Sequence, residues 1–161
     1  MLQYEKILIA VDFSEITSDV VDVGCRFAKD YGASVKLLHV VEEGFLLLGL
    51  DGLSLPAEDL ESIRSVVESR KKSGQEKMVE LLERGRQLGV SSIDGEVVEG
   101  YPASTIVDAA SEQHSDAIFM GSHGWSGIKR FLMGSVANNV VKNAKCSVMV
   151  VRRQQGEIND D

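Results

Sequence analysis

Residues 120–141 read MGSHGWSGIKRFLMGSVANNVV and hold four glycines, Gly121, Gly124, Gly127 and Gly134. Glycine is the residue of choice where a backbone turns through positive φ or comes close to a ligand. The spacing is Gly121-x-x-Gly124, nine residues, then Gly134-Ser135, with the apolar run DAIFM before it and SVMVV after it. GSVANNVV reads as the start of a helix, so Ser135, Val136 and Ala137 would present first-turn N–H groups without intrahelical partners. The helix dipole makes such donors attractive to an anion, and the Ser135 hydroxyl adds one more. The chemistry expected is phosphate binding by backbone. On this reading Gly134 lets a phosphate approach with no Cβ in its way, and Lys129 and Arg130 offset the charge. The motif is neither GxxxxGK[ST] nor GxGxxG. The plainer alternative is a long surface loop that needs its turns.

A second candidate is Asp12, which ends the apolar run of KILIAVDFS. A carboxylate there can accept hydrogen bonds from a ligand amino group or from ribose hydroxyls. Its plainer use is to help cap the next helix, for which Ser14 is the expected N-cap. Ser122-His123 suggests a hydrolase pair, but the G-x-S-x-G elbow is missing, which leaves His123 as a loop residue. His39 lies in an apolar strand and is expected to be a hydrogen-bonded core histidine, and His114 to sit at a helix C-terminus. Three scattered histidines and two cysteines, Cys25 and Cys146, give no metal-ligand spacing and read as free thiols and isolated imidazoles.

These residues need elements to position them. Short apolar runs at 6–12, 34–41, 116–120 and 147–151, and a weaker one at 92–98, suit strands covered on both faces. Between them lie helical periodicities. Ile16, Val20, Val23 and Phe27 form the first, stopped by Gly32. Leu60, Ile63 and Val67, then Met78, Leu81, Leu82 and Leu88, form a long second one, with Pro56 in its first turn and Gly89 at its end. Its middle, ESRKKSGQEK, has no apolar face and contains Gly74, so a break or a solvent projection is expected there. Pro102 opens a third helix through Ile106, Val107 and Ala110, and residues 134–144 form a fourth. Strict alternation of strand and helix predicts an α/β fold: a doubly wound five-stranded parallel sheet of order 3-2-1-4-5 with helices on both faces. Ligands of such sheets collect beyond the carboxyl ends of the strands, where the strand order reverses.

The bulk composition sets limits. The 161 residues carry 17 Lys and Arg against 25 Asp and Glu, a net charge of −8. That balance argues against a nucleic-acid partner, which draws on dense basic charge. The apolar stretch at 43–55 is too short and too interrupted to span a bilayer. The opening residues lack a signal-peptide pattern, so a cytoplasmic protein without membrane association is expected. Residues 1–153 read as one domain, with 154–161 as a polar tail.

The two-part glycine motif, ILIAVDFS at the start and LLHVV at the second strand resemble the universal stress protein family over nearly the whole chain. The motif resembles that of the family's nucleotide-binding branch. The resemblance implies a flavodoxin-like domain, similar also to the adenine nucleotide alpha hydrolases, that binds ATP and pairs as a homodimer through the last strand. It implies that Ala10, Val11, Asp12 and Val40 line an adenosine pocket. Met120, Gly121, Ser122, Gly124, Gly127, Gly134, Ser135, Val136 and Ala137 would carry ribose and phosphates. Ala137 stands where the family often has a hydroxyl residue, which leaves only its backbone N–H as a donor.

The expected function is that of a nucleotide-responsive regulator in the stress response, holding ATP, ADP or AMP, with Mg²⁺ as an accompanying ion. No Walker-type lysine and no evident general base point to efficient turnover. A slow ATPase or phosphotransferase, with Asp12 on Mg²⁺ or Ser135 modified, is one alternative, and a nucleotide-free dimeric interaction module is another. The last strand, 147–152, is expected at the sheet edge with charge beginning only at Arg152, which invites pairing with its own copy. The regulated protein partner is not encoded in any motif.

Overall fold

The structure, a computed structural model, describes residues 3–42, 57–123 and 133–152. The expectations placed on 43–55, Pro56, Gly124, Gly127, Lys129, Arg130 and the 154–161 tail lie outside the described residues. Five strands, β1 Lys6–Ala10, β2 Ser34–Glu42, β3 Ile93–Gly100, β4 Ala117–Gly121 and β5 Ser147–Val151, alternate with helices. The helices are α1 Thr17–Tyr31, α2 Ala57–Gln87, α3 Pro102–Glu112 and α4 Ser135–Asn143. All pairings are parallel, and the sheet order is β3-β2-β1-β4-β5. This is the doubly wound flavodoxin-like arrangement read from the sequence.

Period-two alternation along each strand divides the core between the two faces. Ile7, Ile9, Val35, Leu37 and Phe119 join Val20, Val21 and Cys25 of α1 and Val67 and Met78 of α2. Leu8, Leu38, Ile118 and Met120 join Ile106 and Ala110 of α3 and Ala137 and Val140 of α4 on the other face. Right-handed crossovers demand this division, because the chain winds one way from β1 to β3 and the other way from β4 to β5. Their reversal falls between β1 and β4. Among the described residues, no helix is long and apolar enough to cross a membrane.

Of the two outcomes expected for the middle of the second helix, a break does not occur, whereas residues 68–77 do project into solvent except at Lys71 and Gly74. α2 runs unbroken for 31 residues, and Gly74 is buried in it. A Cβ there would lie 3.2 Å from His39 Cδ2 and 3.3 Å from Val97 Cγ1. The helix therefore turns a glycine inward where it passes closest to β2 and β3, which is why an apolar stripe is absent from the sequence at that point. Leu60, expected inward, is exposed. α2 is also tied to α1 by a bidentate pair, Arg84 Nε and Nη2 donating to Asp22 at 2.5 and 2.7 Å.

Gly32 ends α1 at φ 68°, and the Ala33 N–H donates to the Ala28 carbonyl at 2.8 Å, the left-handed stop that its position predicted. Ser14 is not the side-chain cap of α1: the N-cap is Ile16, and the Ser14 hydroxyl turns back to Asp12.

Placing a large side chain at Gly74 should overpack this contact. Gly74→Leu is expected to destabilise the fold by about 1–3 kcal/mol despite leucine's better helix propensity. Urea unfolding measures it, and an unchanged or higher midpoint would contradict the close-approach account.

Candidate functional site

The carboxyl ends of β1, β2 and β4 meet the starts of α3 and α4 around a cleft of about 810 Å³. Its walls bring together most residues singled out in the sequence. Ala10, Val11 and Asp12 come from the β1 end, Val40 from β2, and Met120, Gly121 and Ser122 from β4. Gly134, Ser135, Val136 and Ala137 come from the start of α4. A volume in this range suits a nucleotide-sized ligand.

The α4 start is built by hydrogen bonds that leave its donors to the cleft. The Gly134 N–H donates to the Ser122 carbonyl at 2.7 Å, and the Ser122 N–H to the Val151 carbonyl at 3.1 Å. The Gly134 carbonyl accepts the first helical bond, from Asn138 at 2.9 Å. Among the described residues no side chain caps the helix, and none of them takes the first-turn N–H groups of Ser135, Val136 and Ala137, which face an acceptor's place. A Cβ on Gly134 would sit 3.0 Å from the Ser122 carbonyl oxygen, a reason for glycine there in addition to the open approach expected from the sequence. Its φ of −61° does not itself call for glycine.

Asp12 is oriented by its own turn. Its Oδ1 accepts from the Ser14 N–H at 3.0 Å, the Ser14 hydroxyl at 2.6 Å and the Thr17 hydroxyl at 3.2 Å. Phe13 between them takes a positive φ of 57°, a conformation that costs a non-glycine residue about 1 kcal/mol or more. The carboxylate thus braces a strained turn at the mouth of the cleft.

His39 is hydrogen-bonded as expected, its Nδ1 lying 2.8 Å from the Val11 carbonyl, and it also lines the cleft. That bond makes Nδ1 the protonated nitrogen of the neutral ring. Burial lowers its pKa below the ordinary 6.5, with Lys77 adding to the effect and the Val11 bond and Asp12 opposing it. His123 pairs with Ser122 through Nδ1 at 3.1 Å, and its Nε2 is buried without a hydrogen-bond partner among the described residues. His114 follows α3 with φ 53°, at the helix C-terminus as read.

The sequence reading missed an entire wall. Phe13, Ile16 and Thr17 follow Asp12 into the lining, Pro102 and Ile106 come from α3, and Ser69, Arg70, Ser73, Gly74 and Lys77 come from α2. Gly74 was the available signal, because a lone glycine inside a helical pattern marks a close approach. Among the described residues, no group of three or more His, Cys, Asp or Glu stands together as a metal-binding set.

The family model for the universal stress protein family matches residues 3–152. Universal stress protein MJ0531 of Methanocaldococcus jannaschii is 35% identical over 154 residues, covering 96% of this chain and 85% of its own. Universal stress protein MJ0577 of the same organism is 33% identical, covering 95% and 98%. The solved structure of MJ0577 superposes with a TM-score of 0.80 at 28% identity, over 96% of this chain and 99% of its own. Two further structures share the fold at a TM-score of 0.64. One is an Archaeoglobus fulgidus universal stress protein in complex with dAMP, at 24% identity and covering 94% and 100%. The other is a universal stress protein in complex with cAMP, at 22% identity and covering 92% and 97%.

The His39 environment makes a pH prediction. The unfolded chain takes up the proton first, so His39 stabilises the fold fully above pH 6.5 and loses that contribution as pH falls toward the lower folded value. Urea midpoints of the wild type should therefore fall through this window more steeply than those of His39→Gln. Parallel curves would show that the ring is not buried neutral.

Proposed function

The chain belongs to the universal stress protein family, and from that premise we propose that it binds an adenine nucleotide in this cleft as a regulator that answers to nucleotide state in the stress response. One observation carries the reading: the uncapped first turn of α4 opens on the same cleft as the ends of β1 and β2. Phosphate oxygens would accept from the N–H groups of Ser135, Val136 and Ala137 and from the Ser135 hydroxyl. The adenosine would lie along Ala10, Val11 and Val40, where Met120 and Ile106 supply apolar surface. The buried Nε2 of His123 offers a polar partner that a ligand would satisfy, and leaving such an atom unmade costs about 1–3 kcal/mol. Relatives of the same fold in complex with dAMP and cAMP support an adenine nucleotide as the class. ATP is the member we propose, since the α4 donors outnumber what one phosphate oxygen needs. Mg²⁺ would accompany the phosphates and offset their charge.

The proposed role is binding, not efficient turnover. Beside the proposed nucleoside site, His39 is engaged by the Val11 carbonyl and Asp12 by Ser14 and Thr17.

Ser135→Pro tests the anion site without breaking the helix. Proline is tolerated at the first helical position, and Gly134 already has the extended conformation that a residue before proline prefers, φ −61° and ψ 159°. The variant removes one N–H and the hydroxyl. Calorimetry should show ATP affinity falling by about tenfold or more with an unchanged melting temperature. Ser135→Ala should lose only the hydroxyl's share. Unchanged affinity in the proline variant would remove the assignment.

We further propose that the protein pairs with its own copy along β5. The strand is at the sheet edge, and its Met149 is 42% exposed. A free parallel edge presents unmatched N–H and C=O groups, which a two-fold copy would satisfy. Sedimentation should give a dimer for the wild type and a monomer for Met149→Asp. A wild type that is monomeric at micromolar concentration would defeat the pairing.

A further inference from the structure

The cleft has two ends, and the α4 donors serve only one of them. Across the ends of β1 and β2, α2 forms the opposite wall, drawn in by the close approach of Gly74 to His39 and Val97. Arg70 and Lys77 lie four residues before and three after that glycine, on one face of the helix and roughly 10 Å apart along its axis. Both line the cleft. Lys77 Nζ lies 5.4 Å from the centre of the Phe13 ring, which itself packs on His39 at 4.4 Å between ring centres.

The charges of this wall are arranged unlike those around it. Lys71, one residue on, is held by Glu99 at 3.0 Å, and Arg84 is held by Asp22. Arg70 and Lys77 enter no ion pair among the described residues. The chain carries a net charge of −8, so carboxylates to pair with them are plentiful. The acidic side chains that share the cleft are Asp12 and Glu42. Asp12 bonds through Oδ1 to Ser14 and Thr17, and Glu42 ends β2. Two cations thus line a concave wall, with Ser69 and Ser73 beside them as hydroxyl donors.

Resting on the nucleotide reading above, we propose that this α2 wall is a second anion-binding lobe. The preferred ligand would be an adenine nucleotide carrying two separated anionic groups, one at the start of α4 and one at Arg70 and Lys77. The second group belongs on the nucleoside side of the molecule, because the wall adjoins the residues assigned to adenosine and not those assigned to the phosphate chain. A phosphate on the ribose 2′ or 3′ oxygen, free as in an adenosine bisphosphate or linking a second nucleoside as in a dinucleotide, supplies that chemistry.

Calorimetry on the full chain tests it with AMP, ATP, adenosine 2′,5′-bisphosphate, adenosine 3′,5′-bisphosphate and the dinucleotide pApA. The wild type should bind at least one of the doubly anionic probes about tenfold or more tightly than AMP. Arg70→Gln with Lys77→Gln should abolish that gain and leave AMP within about twofold, while Lys77→Arg alone should keep it. A gain confined to the bisphosphates identifies a free terminal phosphate, and one shared by pApA a bridging phosphate; either supports the lobe. No gain in the wild type, a gain that survives the double substitution, or an equal loss for AMP and the bisphosphates would overturn it. A selective loss for ATP would also overturn it, by showing that the phosphate chain runs toward α2. Failure of AMP and ATP to bind the wild type would instead remove the nucleotide reading, and this lobe with it.

Discussion

The hydrogen bond from the Gly134 N–H to the Ser122 carbonyl, 2.7 Å long, holds the first turn of α4 against the end of β4. Ser122 is in turn held to Val151 at the end of β5, so the ends of two strands and the helix start are fastened at one point. A Cβ at 134 would lie 3.0 Å from the Ser122 oxygen, so a larger residue there requires the two backbones to give slightly. A contact between two main chains thus sets where the α4 donors lie.

The site solves an electrostatic problem that the composition poses. A chain with a net charge of −8 repels polyanions at long range. At short range, oriented N–H groups at a helix start act as fixed partial charges that need no basic residue. Their attraction is confined to the first turn, so selectivity rests on the shape that brings a phosphate there. Asp12 shapes the opposite rim: by bracing the Phe13 turn it sets the Phe13 ring on His39, and His39 in turn holds the Val11 carbonyl. The two rims of the cleft are therefore governed by separate hydrogen-bond networks joined through the sheet.

Much of this was legible in the residues. Continuous apolar runs between helical periodicities can pack only as parallel strands covered on both faces, and the glycine spacing pointed to the start of α4. The legibility failed where an inward position carries no apolar side chain. Gly74 is on the buried side of α2, yet its absent side chain looks to a periodicity argument like a gap, so α2 was expected to break or project into solvent and its wall of the cleft went unread. Ser14 failed for a different reason. The hydroxyls of Ser14 and Thr17 both donate to Asp12, which takes up the serine that would otherwise cap α1. At Gly134 a sequence shows that a Cβ is missing but not that it would also have met the Ser122 oxygen.

The central claim is that one cleft receives an adenine nucleotide with its phosphates on the α4 donors and its nucleoside along β1 and β2. Amide chemical shifts followed by NMR during titration with ATP test it most directly. The account predicts saturable shifts at Ser135, Val136 and Ala137 together with Val11, Asp12 and Val40, at a common dissociation constant. Saturable shifts that cluster elsewhere, or none at these six amides at millimolar ATP, would contradict it.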